Sequence, residues 1–304
     1  MTIPKDHYVP KFYLEGFVDS KTSSLWVVDL KTSSIRKDSP KNAARISGYD
    51  NLHGNTIEDR LVARKALQAI EDRAAPVIAK LRKQSYQLTF EDKDFLSEFI
   101  GQQISRVPIF RGYVDTRLDN DLLKPYQDRF REKVLSDKFE SDYGEDAAMI
   151  RKRVLSGDYP PVQPKFKGPF DRKDGVLLLS ILHGHKFSSL MFGMNWIFLV
   201  TRDNEPFFTS DNPARFSFLS PESSKIDFNN PDPDHEIAFP ISPSCLLLAH
   251  YHNESEYKHR YTFVDPLTVE EMNGGTFHTA HRYIFCSKEE QAVQVLNQSQ
   301  KPPA

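Results

Sequence analysis

The spacing of the apolar residues changes twice along this chain, and this limits the folds that it can adopt. The first 50 residues or so show short strands and polar turns, in which Leu25–Val28 and a return strand from Ile35 predict a β-hairpin. From Thr56 the apolar residues recur with a helical period, and after Met194 strand-like segments return. We therefore predict an α+β fold with an N-terminal β-hairpin, a central helical block at about 56–192 and a β-rich part at about 194–287.

The β-rich part is predicted to consist mainly of antiparallel strands with one late helix, at about 268–280. Its strand candidates are Trp196–Val200, Pro206–Thr209, Phe216–Leu219, Ile237–Pro240, Cys245–His250 and Tyr283–Cys286. The helices predicted in the central block lie at about 57–84, 90–107, 109–137, 144–156 and 172–192. The first of them is expected to be kinked or split, for which Pro76 is a candidate cause. The pattern leaves open whether the two β parts share one sheet or form two domains.

The composition excludes several classes of protein. Of the 304 residues 39% are hydrophobic, so a sizeable core is expected and disorder is excluded. The 40 Lys and Arg residues nearly balance the 42 Asp and Glu residues, which argues against a protein that coats nucleic acid but leaves room for a local basic groove. The sequence shows no secretory signal and no membrane-spanning apolar run, so no membrane partner is expected. Cys245 and Cys286 lie in apolar segments and predict buried thiols in a cytoplasmic protein.

The helix predicted over residues 90–107 carries two polar residues on its apolar face. At about 100° per residue, Gln103 lies in the middle of that face and Arg106 lies between Phe95 and Phe99. A guanidinium there needs a carboxylate partner or a polar cavity, because an unpaired buried charge is costly. We therefore predict either that Arg106 pairs with a carboxylate from another helix, or that it binds an anion in a pocket together with Gln103.

Three carboxylates are candidates for chemistry. Glu58 and Glu71 project from apolar arcs of the first long helix, where a carboxylate can be a general base, a metal ligand or the partner of a cation. Asp211 lies in a Thr-Ser-Asp-Asn-Pro turn, a sequence that is typical of Asx-type backbone bonding. For Asp211 the turn indicates either a structural role or a role as metal ligand or base. Its neighbours Ser210 and Asn212 are candidate binding residues.

His7 stands apart from the other histidines. It belongs to an irregular, aromatic-rich segment, His-Tyr-Val-Pro-Lys-Phe-Tyr-Leu, where it is predicted either to act as a general acid or base or to anchor the segment by a hydrogen bond. The paired histidines further along the chain lack a standard zinc-binding spacing. Phosphate-binding and dinucleotide-binding glycine motifs are absent from the sequence, so nucleotide-driven chemistry is not expected.

Three segments together resemble a known family. In order they are His7-Tyr-Val-Pro10, Gln103-Ile-Ser-Arg106-Val-Pro108 and Thr209-Ser-Asp-Asn-Pro213, and they are similar to the motifs of the bacterial family catalogued as domain of unknown function 4238 (DUF4238). The resemblance covers about residues 5–287 and implies a single domain, after which we expect a frayed tail at 288–304. It implies no particular activity.

The resemblance also implies which residues belong together. It suggests that the family's motif residues meet in one place, and these residues are His7, Gln103, Arg106, Asp211 and Asn212. More loosely, it matches Glu58 and Glu71 to helix-borne glutamates of the family.

Two functions fit these residues. The first is a metal-assisted hydrolase of the nuclease or phosphoesterase type, in which Mg²⁺ or Mn²⁺ is held by Glu58, Glu71 and Asp211. In this enzyme His7 would transfer protons, and Arg106 together with Gln103 would bind the phosphate group. The second is a non-catalytic binding or sensor module, whose polar cluster fixes the fold or senses a small anionic ligand. The expected partner is a phosphate-containing ligand or a nucleic acid.

Overall fold

The chain folds as an α+β protein, as the sequence predicts. The computed structural model describes residues 5–53, 56–84, 86–117, 172–202, 205–218, 235–251 and 260–300, with residues 132, 148, 151 and 152 between them. The predicted helix at 144–156, and the part of the predicted helix 109–137 that follows Arg117, lie almost wholly outside these residues.

The elements follow the predicted order of strands, helices and strands. The first strands are β1 Lys5–His7, β2 Leu25–Asp29, β3 Ser34–Asp38 and β4 Arg45–Ser47, with the short helix α1 at Lys11–Leu14. The helical block contains α2 Ile57–Leu81, α3 Phe90–Arg106, α4 Pro108–Arg117 and α5 Arg172–Gly193. The later strands are β5 Asn195–Val200, β6 Thr209–Ser210, β7 Arg215–Phe218, β8 His235–Ser242, β9 Cys245–His250, β10 Arg260–Phe263 and β11 Tyr283–Cys286. The later helices are α6 Pro266–Thr279 and α7 Glu289–Ser299.

Two main sheets organise the strands. The larger sheet has the order β10-β5-β9-β8-β7 and is antiparallel except for the parallel pair of β10 and β5. The smaller sheet has the order β3-β2-β11-β6 and is antiparallel throughout. Because β11 lies between β2 and β6, the N-terminal hairpin and the last strand share one sheet. The helical block is therefore an insertion between strands of the same sheet.

The long helices begin where the sequence predicts. Thr56 caps α2 and Thr89 caps α3, and each forms a capping box with the aspartate three residues later. The first long helix is not split into two segments, since α2 runs through Pro76 as one helix. The apolar face of α3 is buried in the main core, with Leu96 and Ile100 fully enclosed.

Helices α3 and α5 approach each other closely at Gly101. A Cβ atom at this position would lie 2.5 Å from both the carbonyl oxygen of Gly184 and the backbone nitrogen of Ser188. Only a glycine permits this approach, because a side chain would have to push the two backbones apart. The close approach places the C-terminal end of α3 against the rest of the molecule, and Arg106 lies at that end.

The structure corrects the prediction of a frayed tail. Residues Glu289–Ser299 form helix α7, whose Ala292 and Val295 pack against Trp26 and Ile284 of the smaller sheet. Three further details differ from the prediction. Strand β10 was not predicted, helix α6 runs unbroken through Gly274 and Gly275, where the sequence predicts an interruption, and β6 begins three residues later than its strand candidate.

The two cysteines are buried free thiols, as predicted. Among the described helices, α5 is long and apolar enough to cross a membrane by length and composition alone. In this structure α5 packs along α3. The cytoplasmic location stays a prediction.

Candidate functional site

Arg106 is the last residue of α3, and its side chain is enclosed by carboxylates. Its Nη1 atom lies 2.5 Å from Oε1 of Glu71 on α2, and its Nη2 atom lies 2.6 Å from Oδ2 of Asp50. The residue is 8% exposed. The predicted pairing of Arg106 with a carboxylate from the first long helix is therefore confirmed. Each terminal nitrogen donates to a carboxylate of the protein, and the alternative, that Arg106 binds a ligand anion, stays a prediction.

Asp50 joins two arginines and was not found from the sequence. Its second oxygen, Oδ1, accepts a hydrogen bond of 2.7 Å from Nη2 of Arg111, whose guanidinium stacks on the ring of Tyr49 at 3.7 Å from the centroid. Burial alone would raise the pKa of the Asp50 carboxyl group, but Arg106 and Arg111 outweigh burial and hold it below its ordinary value. Together with Glu71, these residues form a buried network of two cations and two carboxylates, whose charges balance.

Gln103 and Tyr49 tie this network to the N-terminal segment. The side-chain amide of Gln103 donates a 2.7 Å hydrogen bond to the carbonyl oxygen of Tyr8, and the hydroxyl group of Tyr49 donates one of 2.7 Å to the carbonyl oxygen of Arg106. The rings of Tyr8 and Tyr49 meet edge to face. Gln103 thus holds the backbone of the N-terminal motif, which makes its observed role structural.

His7 is held beside two arginines. Its Nε2 atom lies 3.1 Å from the carbonyl oxygen of Lys41 and 3.3 Å from that of Pro40, and it donates to them because carbonyl oxygens only accept. Burial lowers the pKa of His7, and the charges of Arg45 and Arg106 lower it further. The imidazole is therefore neutral at pH 7, and its Nδ1 atom carries a lone pair with no hydrogen-bond partner among the described residues.

Asp211 is bonded to the backbone that precedes β11. Its Oδ1 atom accepts from the amide of His281 at 2.9 Å, and its Oδ2 atom accepts from the amides of Arg282 at 2.9 Å and Tyr283 at 3.1 Å. Burial raises the pKa of the Asp211 carboxyl group, and these three N–H bonds oppose that rise. Within the described residues, no hydrogen bond or ion pair joins Asp211 to His7 or Arg106. The side chains of the three motifs are therefore not joined directly to one another at Asp211.

Ser210 and Asn212 also bond within the protein. The Ser210 hydroxyl group donates to the carbonyl oxygen of Asn212 and accepts from its amide, which is ST-turn geometry. The Asn212 side chain donates to the carbonyl oxygen of Thr279 at the end of α6. These contacts fix the turn, and they give neither residue an evident ligand.

The three motif segments come together through Tyr8. Its carbonyl oxygen is held by Gln103, and burial together with the nearby charge of Asp211 raises the pKa of its phenol. The motifs therefore meet around a residue that was not predicted as a site residue. The signal that could have found it was its position inside the first motif, directly after His7.

The proposed metal ligands do not fit a metal site. Glu58 is exposed in the first turn of α2, Glu71 is paired with Arg106, and both oxygens of Asp211 accept backbone N–H bonds. Across the described ranges, no group of three His, Cys, Asp or Glu side chains is arranged to hold a metal ion. The set predicted to bind Mg²⁺ or Mn²⁺ is thus not assembled here.

A family model described as "Protein of unknown function (DUF4238)" matches residues 5–290, nearly the whole chain. The chain belongs to this family. In this DUF4238 member the match extends into the start of α7, which agrees with the packing of that helix on the sheet. No curated protein and no solved structure shows a significant match to the chain.

Proposed function

We propose that this DUF4238 member is a binding module for a phosphate-bearing ligand, which it receives beside His7 and Arg45. The observation that supports this proposal is the neutral, half-buried imidazole of His7. The two charges that lower its pKa, those of Arg45 and Arg106, are both positive. An anion placed there would meet a favourable field, and a protonated His7 could donate to it from Nδ1.

The charge of Arg45 supports an anionic ligand. Its Nη1 atom donates to the carbonyl oxygen of Lys41 at 2.5 Å and to the side-chain oxygen of Asn42 at 3.4 Å, and no carboxylate pairs with it among the described residues. Its buried Nε–H group also lacks an acceptor there. A phosphoryl oxygen bound there would accept hydrogen bonds from Arg45 and balance its charge.

The Arg106 network serves as the frame of this site. It joins α2, α3 and the loop that contains Asp50, and Gln103 connects α3 to the backbone next to His7. Because the charge of Arg106 is balanced by Asp50 and Glu71, its contribution to the site is the position that it gives to the end of α3 next to the N-terminal segment.

We expect sulfate, a phosphate mimic that does not titrate near neutral pH, to bind more tightly as the pH falls. A bound anion offsets the arginine charges and raises the pKa of His7, so the complex binds more protons than the free protein does. Affinity should therefore rise by about 3- to 10-fold between about pH 8 and about pH 5.5. Isothermal titration calorimetry in buffers of constant ionic strength measures the sulfate affinity at each pH.

The matched variants for this experiment are His7→Gln and His185→Gln. The glutamine amide can still donate to a carbonyl oxygen but does not titrate, so the pH dependence should disappear in His7→Gln. His185 is exposed on α5, and its variant should behave like the wild type. If sulfate binds His7→Gln with an unchanged pH profile, the proposed site is wrong.

A second candidate is a phosphate-ester hydrolase with His7 as general base. The lone pair on Nδ1, oriented by the two carbonyl bonds of Nε2, favours it. If it is correct, bis(p-nitrophenyl) phosphate should be cleaved by the wild type and at least about a hundredfold more slowly by His7→Gln. Release of p-nitrophenolate, followed with and without added Mg²⁺ or Mn²⁺, measures this, and equal rates in the two proteins exclude His7 as the base.

A further inference from the structure

The larger sheet ends in a strand with an open outer edge. Strand β10 pairs with β5 on one side, and no strand of the described residues lies on its other side. An open edge presents unpaired backbone N–H and C=O groups, to which a further strand can bind. Two large apolar side chains beside this edge are strongly exposed, namely Phe263 at 70% and Leu267, in the first turn of α6, at 69%. The edge therefore offers both hydrogen-bonding groups and apolar surface.

The open edge of the smaller sheet differs from that of β10 in its charge. Edge strand β3 carries Arg36, Lys37 and Asp38 among its five residues. Charged side chains on an edge strand oppose pairing with another chain. Strand β10 has one charged residue, Arg260 at its start, and it contains no proline. Of these two edges, β10 is therefore the one that is suited to pairing.

The direction of the backbone groups in β10 follows from its pairing with β5. Val264, directly after the strand, donates its N–H to the carbonyl oxygen of Val200 in β5 at 3.0 Å. The backbone groups of successive residues in a strand point to alternate sides, so those of Thr262 also face β5. Those of Tyr261 and Phe263 face outward. The open edge thus offers two N–H and two C=O groups.

A second copy of β10 matches the spacing of these groups. Two identical edges that pair antiparallel are related by a two-fold axis perpendicular to the sheet, so each residue lies opposite one on the same face. With Thr262 on this axis, Tyr261 lies opposite Phe263 of the second copy, and the two copies exchange four backbone hydrogen bonds. Every outward N–H and C=O group of β10 is then paired. The aromatic rings of Tyr261 and Phe263 also become cross-strand neighbours, which is a favourable pair.

Charge and polarity favour the same register. The ends of the edge carry opposite charges, because exposed Arg260 begins the strand and exposed Asp265 follows it. Antiparallel pairing places Arg260 of one copy opposite Val264 of the other and next to its Asp265, so a cation meets an anion at both ends. At the centre, the buried hydroxyl oxygen of Thr262 has no hydrogen-bond partner among the described residues. A rotation about χ1 would let the two Thr262 hydroxyl groups bond across the axis.

We propose that this chain forms a two-fold symmetric dimer through β10, in which the two larger sheets join edge to edge into one continuous sheet. The partner is a second copy of the chain, because the edge is complementary to itself in hydrogen bonding and in charge. The dimer does not depend on the anion site at His7. Since the contact is one short strand with few side chains, we expect a reversible association with a dissociation constant of about 1–100 µM.

Sedimentation velocity of the full-length chain, at increasing concentration, tests the proposal. The wild type should show a monomer–dimer equilibrium, and Phe263→Pro should raise the dissociation constant at least about tenfold, because proline removes an outward N–H group. Proline is tolerated on an edge strand where the N–H faces solvent, so the variant should still fold. In the wild type, the amides of Tyr261 and Phe263 should exchange hydrogen more slowly as the protein concentration rises.

The matched control is Phe90→Pro. Phe90 is 78% exposed and is the first residue of α3, a helix position that favours proline, so this variant removes an exposed phenylalanine without changing β10. Its dissociation constant should equal that of the wild type. Circular dichroism shows whether both variants fold, and the exchange measurement needs no variant.

Three results would overturn the proposal. The first is a wild type that stays monomeric up to about 500 µM, well above the expected dissociation constant. The second is a dimer of unchanged affinity in folded Phe263→Pro, which would place the interface elsewhere. The third is hydrogen exchange at Tyr261 and Phe263 that does not depend on protein concentration.

Discussion

The Arg106→Ala variant is expected to unfold with a free energy about 3–5 kcal/mol lower than that of the wild type, because the change removes one partner of a buried ion pair. Glu71 would lose the guanidinium that it binds, and Asp50 would keep only Arg111. Neither carboxylate can readily recover its hydration, since Asp50 is fully buried and Glu71 is largely buried. Urea unfolding followed by circular dichroism measures the difference.

The matched control for this experiment is Arg73→Ala. Arg73 also pairs with a glutamate across α2 and α3, at 2.5 Å from Glu98, but its side chain is 44% exposed. An exposed ion pair contributes about 0–1 kcal/mol, so this variant should be nearly as stable as the wild type. An unchanged stability of Arg106→Ala, combined with loss of sulfate binding, would instead make Arg106 a ligand-binding residue.

The Asp211→Ala variant is expected to lose about 3–5 kcal/mol of unfolding free energy, since it leaves three backbone N–H groups without an acceptor. These groups belong to His281, Arg282 and Tyr283, which lead into β11, the strand between β2 and β6. Thermal and urea unfolding measure the loss. Amide hydrogen exchange at the three positions should become faster than in the wild type.

Asp211→Asn should be intermediate, at about 1–3 kcal/mol, because only one of its two side-chain atoms can still accept. From the sequence alone a structural Asp211 would tolerate asparagine almost silently, but the structure shows acceptor bonds to both oxygens. The control is Asp265→Ala, at the N-cap of α6, where an exposed aspartate accepts from one amide, that of Thr268, and about 1 kcal/mol is expected. If Asp211→Ala costs no more than this control, the three N–H bonds do not stabilise the turn.

The sequence by itself was sufficient for the local features of the fold. The starts of α2 and α3, the apolar face of α3, and strands β9 and β11 depend on short-range patterns, and each was found where the spacing placed it. The burial and pairing of Arg106 could also be predicted. A cation on an apolar stripe has few physical solutions, and the nearest helix offered a carboxylate.

Tertiary structure alone decided which distant residues complete the site. Asp50 lies in a polar loop without periodicity, and only folding brings it between Arg106 and Arg111. Loop residues carry no pattern that predicts their contacts, because their neighbours are set by the packing of helices and sheets rather than by their own spacing.

The order of the strands in the sheet and the C-terminal helix were also decided by the tertiary structure. The sequence predicted β2 and β11 as strands, but pairing between strands so far apart leaves no local signal, and only the structure shows them side by side. Residues 288–304 were predicted as a frayed tail, but helix α7 is ordered by the sheet surface against which Ala292 and Val295 pack. Short-range periodicity therefore determined the elements of this protein, whereas their long-range burial against one another determined the site.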